Sequence, residues 1–132
     1  MYKLAVVTPE KVIYEEEVAS LIAPGTLGYL GILSNHAPII TSLKPGILNV
    51  KDNTGKEINF AVSGGFLECS NNVCTILADS AEFAKDIDVE RAQESLKRAK
   101  QRLQDAAGNI DTGRAQAAYE RAKNRVTLAK RD

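Results

Sequence analysis

A chain of 132 residues has the usual size of one domain, roughly 100–150 residues, and is long enough to bury one hydrophobic core. Its 17 basic side chains balance 17 acidic ones, and 44% of its residues are apolar, so net charge gives it no general attraction to nucleic acid or to anionic membranes. No run of about 18 apolar residues predicts a membrane span, and the N-terminus leads directly into a strand pattern without a signal peptide, which predicts a cytoplasmic location.

Short strands separated by turns account for residues 1 to about 80. Strand breakers such as Pro24-Gly25, Pro45-Gly46 and Gly64-Gly65 interrupt the apolar segments at regular intervals. Because no helical segment lies between these strands, the pattern predicts an antiparallel sandwich or flattened barrel without a parallel crossover. The predicted strands cover residues 3–8, 12–15, 18–23, 39–43, 47–51, 57–62, 66–70 and 73–77.

Two cysteines flank a predicted hairpin turn at Asn71-Asn72. A two-residue turn there would place Cys69 and Cys74 opposite each other on neighbouring strands, where a disulfide is geometrically conceivable. In a reducing compartment, however, two reduced cysteines that serve packing are the expectation. A metal site is not predicted, because two thiols and the single histidine, His36, do not supply four ligands.

From Asp86 onward the apolar residues recur at intervals of three and four, which predicts helix. Asp88 is the predicted N-cap, Ile87 is placed to pack on Ala92, and Gly108-Asn109 is the predicted end of this helix. A second helix is predicted from about Asp111, folded back as an antiparallel hairpin. The sequence thus predicts a β-sandwich domain over residues 1–84 and an α-helical hairpin domain over residues 85–132. The predicted apolar stripes consist of Val89, Ala92, Leu96, Ala99, Leu103 and Ala106 in the first helix, and of Ala115, Ala118, Ala122, Val126 and Ala129 in the second.

The hairpin contains an internal repeat, in which residues 110–126 reproduce the pattern of residues 87–103. Both copies read Ile-Asp, Arg-Ala-Gln, Arg-Ala-Lys and Arg at the same spacing, and each of these arginines directly precedes a residue of an apolar stripe. We call the two sets the arginine ladders: Arg91, Arg98 and Arg102 in the first helix, and Arg114, Arg121 and Arg125 in the second.

The arginine ladders have two interpretations. Guanidinium groups suit bidentate binding of phosphate or carboxylate, and like charges one helical turn apart cost about 0.2–0.5 kcal/mol per pair, so an anionic ligand or partner is expected. Alternatively, the arginine stems only cover the helix surface and keep it soluble. On spacing alone, the second interpretation is favoured.

Three segments carry a resemblance that runs along nearly the whole chain. Residues 28–38, GYLGILSNHAP, and residues 63–68, SGGFLE, resemble two signatures of the epsilon subunits of bacterial F-type ATP synthases. Residues 74–82, CTILADSAE, are similar to the strand that closes the sandwich in that family. The order of sandwich and helical hairpin also agrees with this family.

The resemblance implies a non-catalytic subunit of the central stalk, which rotates during ATP synthesis coupled to proton transport. It implies a ten-stranded antiparallel β-sandwich that docks on the gamma subunit and the c-ring, at the cytoplasmic side of the cell membrane as a peripheral protein. The two-helix domain would lie compact or extend along gamma. When extended, its basic second helix would meet acidic loops of the beta (and alpha) subunits and inhibit ATP hydrolysis.

Some members of this family bind ATP as a regulatory ligand through an Ile/Leu-Asp-x-x-Arg-Ala motif, which residues 87–92 match. The resemblance places Glu82 and Asp88 at the base or ribose, and Arg91, Arg98, Arg121 and Arg125 around the phosphates. It does not tell whether Mg²⁺ accompanies the nucleotide. The predicted ATP site consists of Glu82, Ile87, Asp88, Arg91, Ala92, Arg98, Arg121 and Arg125.

Two other classes of function remain as alternatives. An RNA-binding basic hairpin would need stacking aromatic residues, and residues 85–132 contain one, Tyr119. A small-molecule enzyme would need a polar catalytic cluster, and we predict no catalytic residue, because the sandwich segment offers only the isolated His36 as a general base.

Overall fold

The computed structural model describes residues 1–105 and 112–131. Within these ranges a β-sandwich is followed by two helices, which confirms the predicted fold class. The nine strands in the described residues are one fewer than the ten that the resemblance implied. They are β1 (Tyr2–Val7), β2 (Val12–Gly25), β3 (Gly28–Leu33), β4 (Ile39–Leu43), β5 (Gly46–Asp52), β6 (Glu57–Val62), β7 (Gly65–Ser70), β8 (Val73–Ala78) and β9 (Ala81–Phe83).

The largest departures from the predicted strands are in β2, β3 and β9. β2 is one continuous strand of 14 residues where two short strands were predicted, and its register against β5 shifts between Val18 and Ser20. The glycine-containing segment of β3, predicted as a connection, pairs along β2 from Ser20 to Gly25. Glycine lowers strand propensity, and here the pairing with β2 outweighs that local preference.

The sheet closes on itself through its first strand. β1 pairs antiparallel with β2 and parallel with β8, so the prediction of a sandwich without parallel strands was wrong at this one pair. The parallel neighbours are far apart in sequence, with Leu4 opposite Cys74, and the intervening strands supply the long connection that a parallel pair needs. The strand order is β1-β8-β7-β4-β2-β5-β6-β9, with β3 beside β2.

Alternate residues of these strands form the main core. Leu4, Leu21, Leu48, Leu67 and Ile76 are completely or almost completely buried in it. Phe60 anchors one end, with its ring 5.6 Å from that of Tyr14 and 4.7 Å from that of Phe83. Strand alternation therefore positions β6 with Phe60 and Val62 in this core and Ala61 on the opposite face.

The β7–β8 hairpin has the predicted two-residue turn. Asn71 and Asn72 both adopt positive φ, at 52° and 61°, as a type I′ turn requires. Cys69 and Cys74 then face each other and form a disulfide, so the expectation of two reduced cysteines differs from the structure. Reduced cysteines were expected because the cytoplasm is a reducing compartment, whereas the register of the hairpin places the two sulfur atoms side by side.

The connection between β6 and β7 depends on glycine. Gly64 and Gly65 have φ angles of 121° and 134°, in the region that other residues rarely adopt. A Cβ atom at Gly65 would collide with the carbonyl oxygen of Leu77 on β8. Glycine at position 65 thus allows the start of β7 to pair closely with the end of β8.

Two helices follow a short 3₁₀ turn at Ala84–Asp86: α1 (Val89–Asp105) and α2 (Thr112–Arg131). The predicted N-cap is confirmed, since the Asp88 Oδ1 atom accepts a hydrogen bond of 3.1 Å from the backbone N–H of Arg91. The predicted end of the first helix at Gly108-Asn109 and the predicted start near Asp111 lie outside the described residues. Ala106 and the Ile110-Asp111 pair that begins the second copy of the repeat also lie outside the described residues.

A second, smaller core joins the hairpin to the sandwich. Ile47 of β5 and Ala61 of β6 belong to one buried cluster with Ala92 of α1 and Val126 of α2. The completely buried Leu128 lies in this cluster, although it is not part of the predicted apolar stripe of α2. α2 therefore buries a second face, directed at the sandwich, in addition to its stripe of small residues.

Candidate functional site

The docked hairpin and the sandwich enclose a cleft of about 520 Å³. β6, the β8–β9 connection and β9 line one side, and both helices line the other. This volume is within the range of about 300–1,000 Å³ found for small-molecule sites. The lining residues are Ala61, Val62, Ser63, Ser80, Glu82, Ser95, Arg98, Ala99, Arg102, Ala118, Arg121, Ala122, Asn124 and Arg125.

Four members of the arginine ladders lie along this cleft. Arg98 and Arg102 come from successive turns of α1, and Arg121 and Arg125 from successive turns of α2. The spacing of four residues places each pair on one side of its helix, and the hairpin turns these sides toward the same space. The internal repeat thus produces one cationic cleft with two guanidinium groups from each helix.

Arg125 is tied to the sandwich by Glu82 of β9. Its Nη2 atom donates a hydrogen bond of 3.1 Å to Glu82 Oε2, and its Nε atom lies 2.7 Å from Oε1 in an ion-pair contact. About a third of each side chain is exposed, so solvent screens the pair. Among the described residues, the buried Nε–H has no hydrogen-bond partner despite this contact.

Hydroxyl and amide groups complete the lining. Ser80 donates a hydrogen bond of 2.7 Å to Ser63 on the sandwich side. On α1, Ser95 accepts a long hydrogen bond of 3.4 Å from Arg98 Nη2. Asn124 Nδ2 donates a hydrogen bond of 2.6 Å to the carbonyl oxygen of Gly46, which joins α2 to the start of β5. These groups fix the walls of the cleft and hold the hairpin against the sandwich.

The structure gathers half of the predicted ATP-site residues in the cleft and places the other half elsewhere. Glu82, Arg98, Arg121 and Arg125 line the cleft. The four residues of the Ile-Asp-x-x-Arg-Ala motif are not among its lining residues. They are the buried Ile87 and Ala92 in the second core, Asp88 at the N-cap of α1, and the exposed Arg91.

The predicted ATP site did not include Arg102, Asn124 and the three serines that line the cleft. The signal for Arg102 was present, because it matches Arg125 in the internal repeat and lies one turn after Arg98. Ser63, Ser80 and Asn124 had no comparable signal, since only the docking of the hairpin brings them together.

The charged groups of the cleft are mostly cationic. Four guanidinium groups stand against one carboxylate among the residues that line it, so its formal charge is +3. Arg98, Arg102 and Arg121 are exposed and Arg125 is partly buried, and planar guanidinium groups bind phosphate oxygens bidentately. Ala99, Ala118 and Ala122 leave room between the helices for apolar parts of a ligand.

Apolar side chains are exposed on the sandwich, away from the cleft. Phe66 of β7 and Leu77 of β8 are cross-strand neighbours with 56% and 50% of their surfaces exposed, and Ile40 of β4 is 73% exposed. Leu27 and Leu33, at the turn between β2 and β3 and at the end of β3, are also exposed. Exposed apolar side chains on neighbouring strands, such as Phe66 and Leu77, are typical of sites of protein association. Within the described ranges, none of the helices is long and apolar enough to cross a membrane.

His36 has a local structural contact. Its Nδ1 atom lies 2.6 Å from the carbonyl oxygen of Ala37, and the side chain is exposed in the loop between β3 and β4. It does not line the cleft.

Both parts of the chain match family models of ATP synthase subunits. Residues 1–84 match the beta-sandwich domain of the ATP synthase delta/epsilon chain, and residues 85–130 match the long alpha-helix domain of the same chain. The ATP synthase epsilon chain of Desulforamulus reducens is 52% identical over 101 residues, which cover 76% of each chain. That of Moorella thermoacetica is 47% identical over 102 residues, covering 77% of this chain and 76% of the relative.

Solved structures give the same result. A chain of the Euglena gracilis mitochondrial ATP synthase, solved with OSCP, F1 and the c-ring, aligns with a TM-score of 0.81 and 25% identity, over 98% of this chain and 80% of that one. A chain of the central stalk and c-ring of the Tetrahymena thermophila enzyme aligns with a TM-score of 0.59 and 20% identity, over 98% and 93%, and supports the fold. The fold, both domain matches and these relatives show that the chain belongs to the epsilon-chain family of ATP synthase subunits.

Proposed function

We propose that the chain is a non-catalytic subunit of the ATP synthase rotor that joins the gamma subunit to the c-ring, with residues 1–84 as the docking domain and residues 85–132 as a regulatory domain. Family membership carries this proposal. The exposed apolar residues Ile40, Phe66 and Leu77 support it, because they offer a surface for association and are not part of the cluster that packs against the hairpin. Its place is then the cytoplasmic side of the cell membrane, as a peripheral part of a proton-transporting complex.

A charge on this surface tests the docking. Phe66→Asp places a carboxylate in the apolar surface, and we expect it to weaken binding to a complex of gamma and c-ring by at least about tenfold. Glu57→Asp, on the exposed edge of β6, is the control that leaves the surface unchanged. Proton-driven ATP synthesis in vesicles reconstituted with each variant measures the consequence. Unchanged binding and synthesis with Phe66→Asp would contradict this docking surface.

The regulatory part of the proposal is that the cleft binds ATP and thereby holds the hairpin compact. The single observation that carries it is the convergence of Arg98, Arg102, Arg121 and Arg125 from two helices on one space. The sandwich also lines this space, so it exists only while the hairpin is docked. A ligand at 100 times its dissociation constant stabilises the docked state by about 2.7 kcal/mol.

Calorimetric titration of ATP and ADP into the full chain tests the nucleotide site. Arg98→Gln and Arg121→Gln each remove one charged donor, and charge-assisted hydrogen bonds of about 1.5–3 kcal/mol predict a dissociation constant about 10- to 150-fold higher. Lys97→Gln removes the same charge from an exposed position of α1 outside the cleft, and is expected to bind ATP like the native chain.

The variant Arg91→Ala separates the motif from the cleft. The resemblance assigns Arg91 to the phosphates, whereas in the compact hairpin its side chain is exposed and does not line the cleft. Binding unaffected by Arg91→Ala would leave the cleft arginines as the phosphate ligands. If Arg98→Gln and Arg121→Gln both bind ATP with the dissociation constant of the native chain, the cleft is not the ATP site.

Release of ATP completes the proposed regulation. Without ligand, the hairpin is held by the second core and by two polar links to the sandwich, Arg125 to Glu82 and Asn124 to Gly46. Extended along gamma, α2 would present its basic side chains to acidic loops of the beta and alpha subunits and slow ATP hydrolysis. Hydrolysis by the assembled complex should therefore rise with ATP beyond the saturation of its catalytic sites, and should lose this rise in Arg121→Gln.

A further inference from the structure

We propose that the cleft takes the magnesium-free nucleotide, so that Mg²⁺ weakens ATP binding by competing with the arginines for the phosphates. This inference rests on the proposed ATP site and specifies the ionic form of its ligand. It arises from a mismatch between the groups that line the cleft and the ligands that Mg²⁺ requires.

The oxygen atoms of the cleft are poorly suited to the ion. Mg²⁺ prefers an octahedral shell of oxygen ligands, usually with one or two carboxylates from the protein. Glu82 supplies the one carboxylate among the lining residues, and both of its oxygen atoms face Arg125, at 2.7 Å from Nε and 3.1 Å from Nη2. Across the described residues, no group of three or more Asp, Glu, His or Cys side chains is placed to hold a metal ion.

The hydroxyl groups of the cleft are also engaged. Ser63 and Ser80 are joined to each other at 2.7 Å, and the Ser95 oxygen accepts from Arg98. Each keeps a lone pair, but a metal ion bound there would lie in a positively charged space with neutral protein ligands only. The donor set therefore does not fit Mg²⁺.

Charge favours the same conclusion. Free ATP carries two more negative charges than its magnesium complex, and the cleft meets it with four guanidinium groups and a formal charge of +3. Each guanidinium group that contacts a phosphate replaces part of what the metal ion does in solution. Bound Mg²⁺ would both occupy phosphate oxygens that the arginines need and stand within Coulomb range of the arginines themselves.

The test is calorimetric titration of the full chain with ATP in two buffers at pH 8 and equal ionic strength, one with EDTA and one with excess MgCl₂. We expect the dissociation constant to be at least about tenfold lower in EDTA. Equal or tighter binding with MgCl₂ overturns the inference and leaves the ATP site standing. Absence of ATP binding in both buffers overturns the site and the inference together.

Two matched variants test the electrostatic cause. Arg102→Gln lowers the charge of the cleft by one unit and is expected to shrink the ratio between the two dissociation constants, whereas Lys97→Gln lowers the charge of α1 outside the cleft and should leave the ratio unchanged. If Glu82 held Mg²⁺ instead, binding would be tighter with MgCl₂ and Glu82→Gln would abolish that gain. That pattern would refute the proposal.

Discussion

Leu128 is the largest completely buried side chain of the two helices in the described residues, and we expect the docking of the hairpin to depend on it. It is completely buried in the second core, where Ile47 and Ala61 of the sandwich and Ile87 before α1 belong to the same cluster. Its truncation to alanine removes this contact and leaves a cavity, which in protein cores costs about 2–5 kcal/mol. The other buried residues of the helices in this cluster, Ala92 and Val126, are smaller and compensate little.

The cost should fall on the docked hairpin and spare the sandwich. Even 2 kcal/mol lowers the population of the docked state about 30-fold relative to the undocked state. The main core, which contains none of the hairpin residues, should keep its stability. Leu128→Ala is therefore expected to loosen the helices while the strands stay folded.

Amide hydrogen exchange of the full chain, followed by mass spectrometry, distinguishes the two parts. In Leu128→Ala the amides of α1 and α2 should exchange about 30-fold faster than in the native chain, and those of β1, β7 and β8 should not change. Leu33→Ala is the matched control, because it removes the same atoms from an exposed position. Equal acceleration in helices and strands, or none in either, would refute the view that Leu128 anchors a separable hairpin.

Three further predictions concern the sandwich and its link to α2. Gly65→Ala should reduce the free energy of unfolding by more than about 3 kcal/mol in chemical denaturation, because the added methyl group meets the Leu77 carbonyl. Gly55→Ala, at positive φ but in open space, is the control and should cost only about 1–2 kcal/mol. Similar losses in the two variants would contradict this explanation. Asn124→Ala removes the hydrogen bond to Gly46 and should speed exchange in α2 about five- to tenfold, with Lys123→Ala, at an exposed position of α2, as its control. The Thr54 hydroxyl and the backbone amides of Thr54 and Lys56 hold the pKa of Asp52 below its usual range. The Asp52 carboxylate therefore stabilises the fold at pH values above its unfolded pKa of about 3.9, and this stabilisation is lost as the pH falls through the lowered pKa. The stability difference between the native chain and Asp52→Asn should accordingly shrink in denaturation at acidic pH, and a difference independent of pH would refute this assignment.

The features that local sequence determines were predictable. The Asn71-Asn72 turn, the Asp88 cap and the change from strand to helix periodicity each depend on residues close together in the chain. β3 was not predicted, because its glycine-rich sequence forms a strand only through pairing with β2. The parallel pairing of β1 with β8 likewise depends on the closure of the whole sheet.

The candidate site shows the same division. Helical spacing and the internal repeat identified the arginines, and the structure brings Arg98, Arg121 and Arg125 together with Glu82. The Ile-Asp-x-x-Arg-Ala motif did not identify residues that line the cleft. In the compact hairpin Asp88 caps α1, and Ile87 and Ala92 pack in the second core. Asn124 and Leu128 could not be found from the apolar stripe, since they face the sandwich across a contact between residues far apart in sequence.

The parallel partnership between the first strand and β8 has a consequence for how the chain is made. During synthesis β1 leaves the ribosome first, but the edge it pairs with, from Val73 to Leu77, follows some seventy residues later. Until then one side of β1 has no permanent neighbour, and long-range pairing of this kind is slow and open to aggregation. The helices emerge after the sheet has received its last large strand. The strands of the sandwich thus leave the ribosome before the hairpin, which packs onto their surface last.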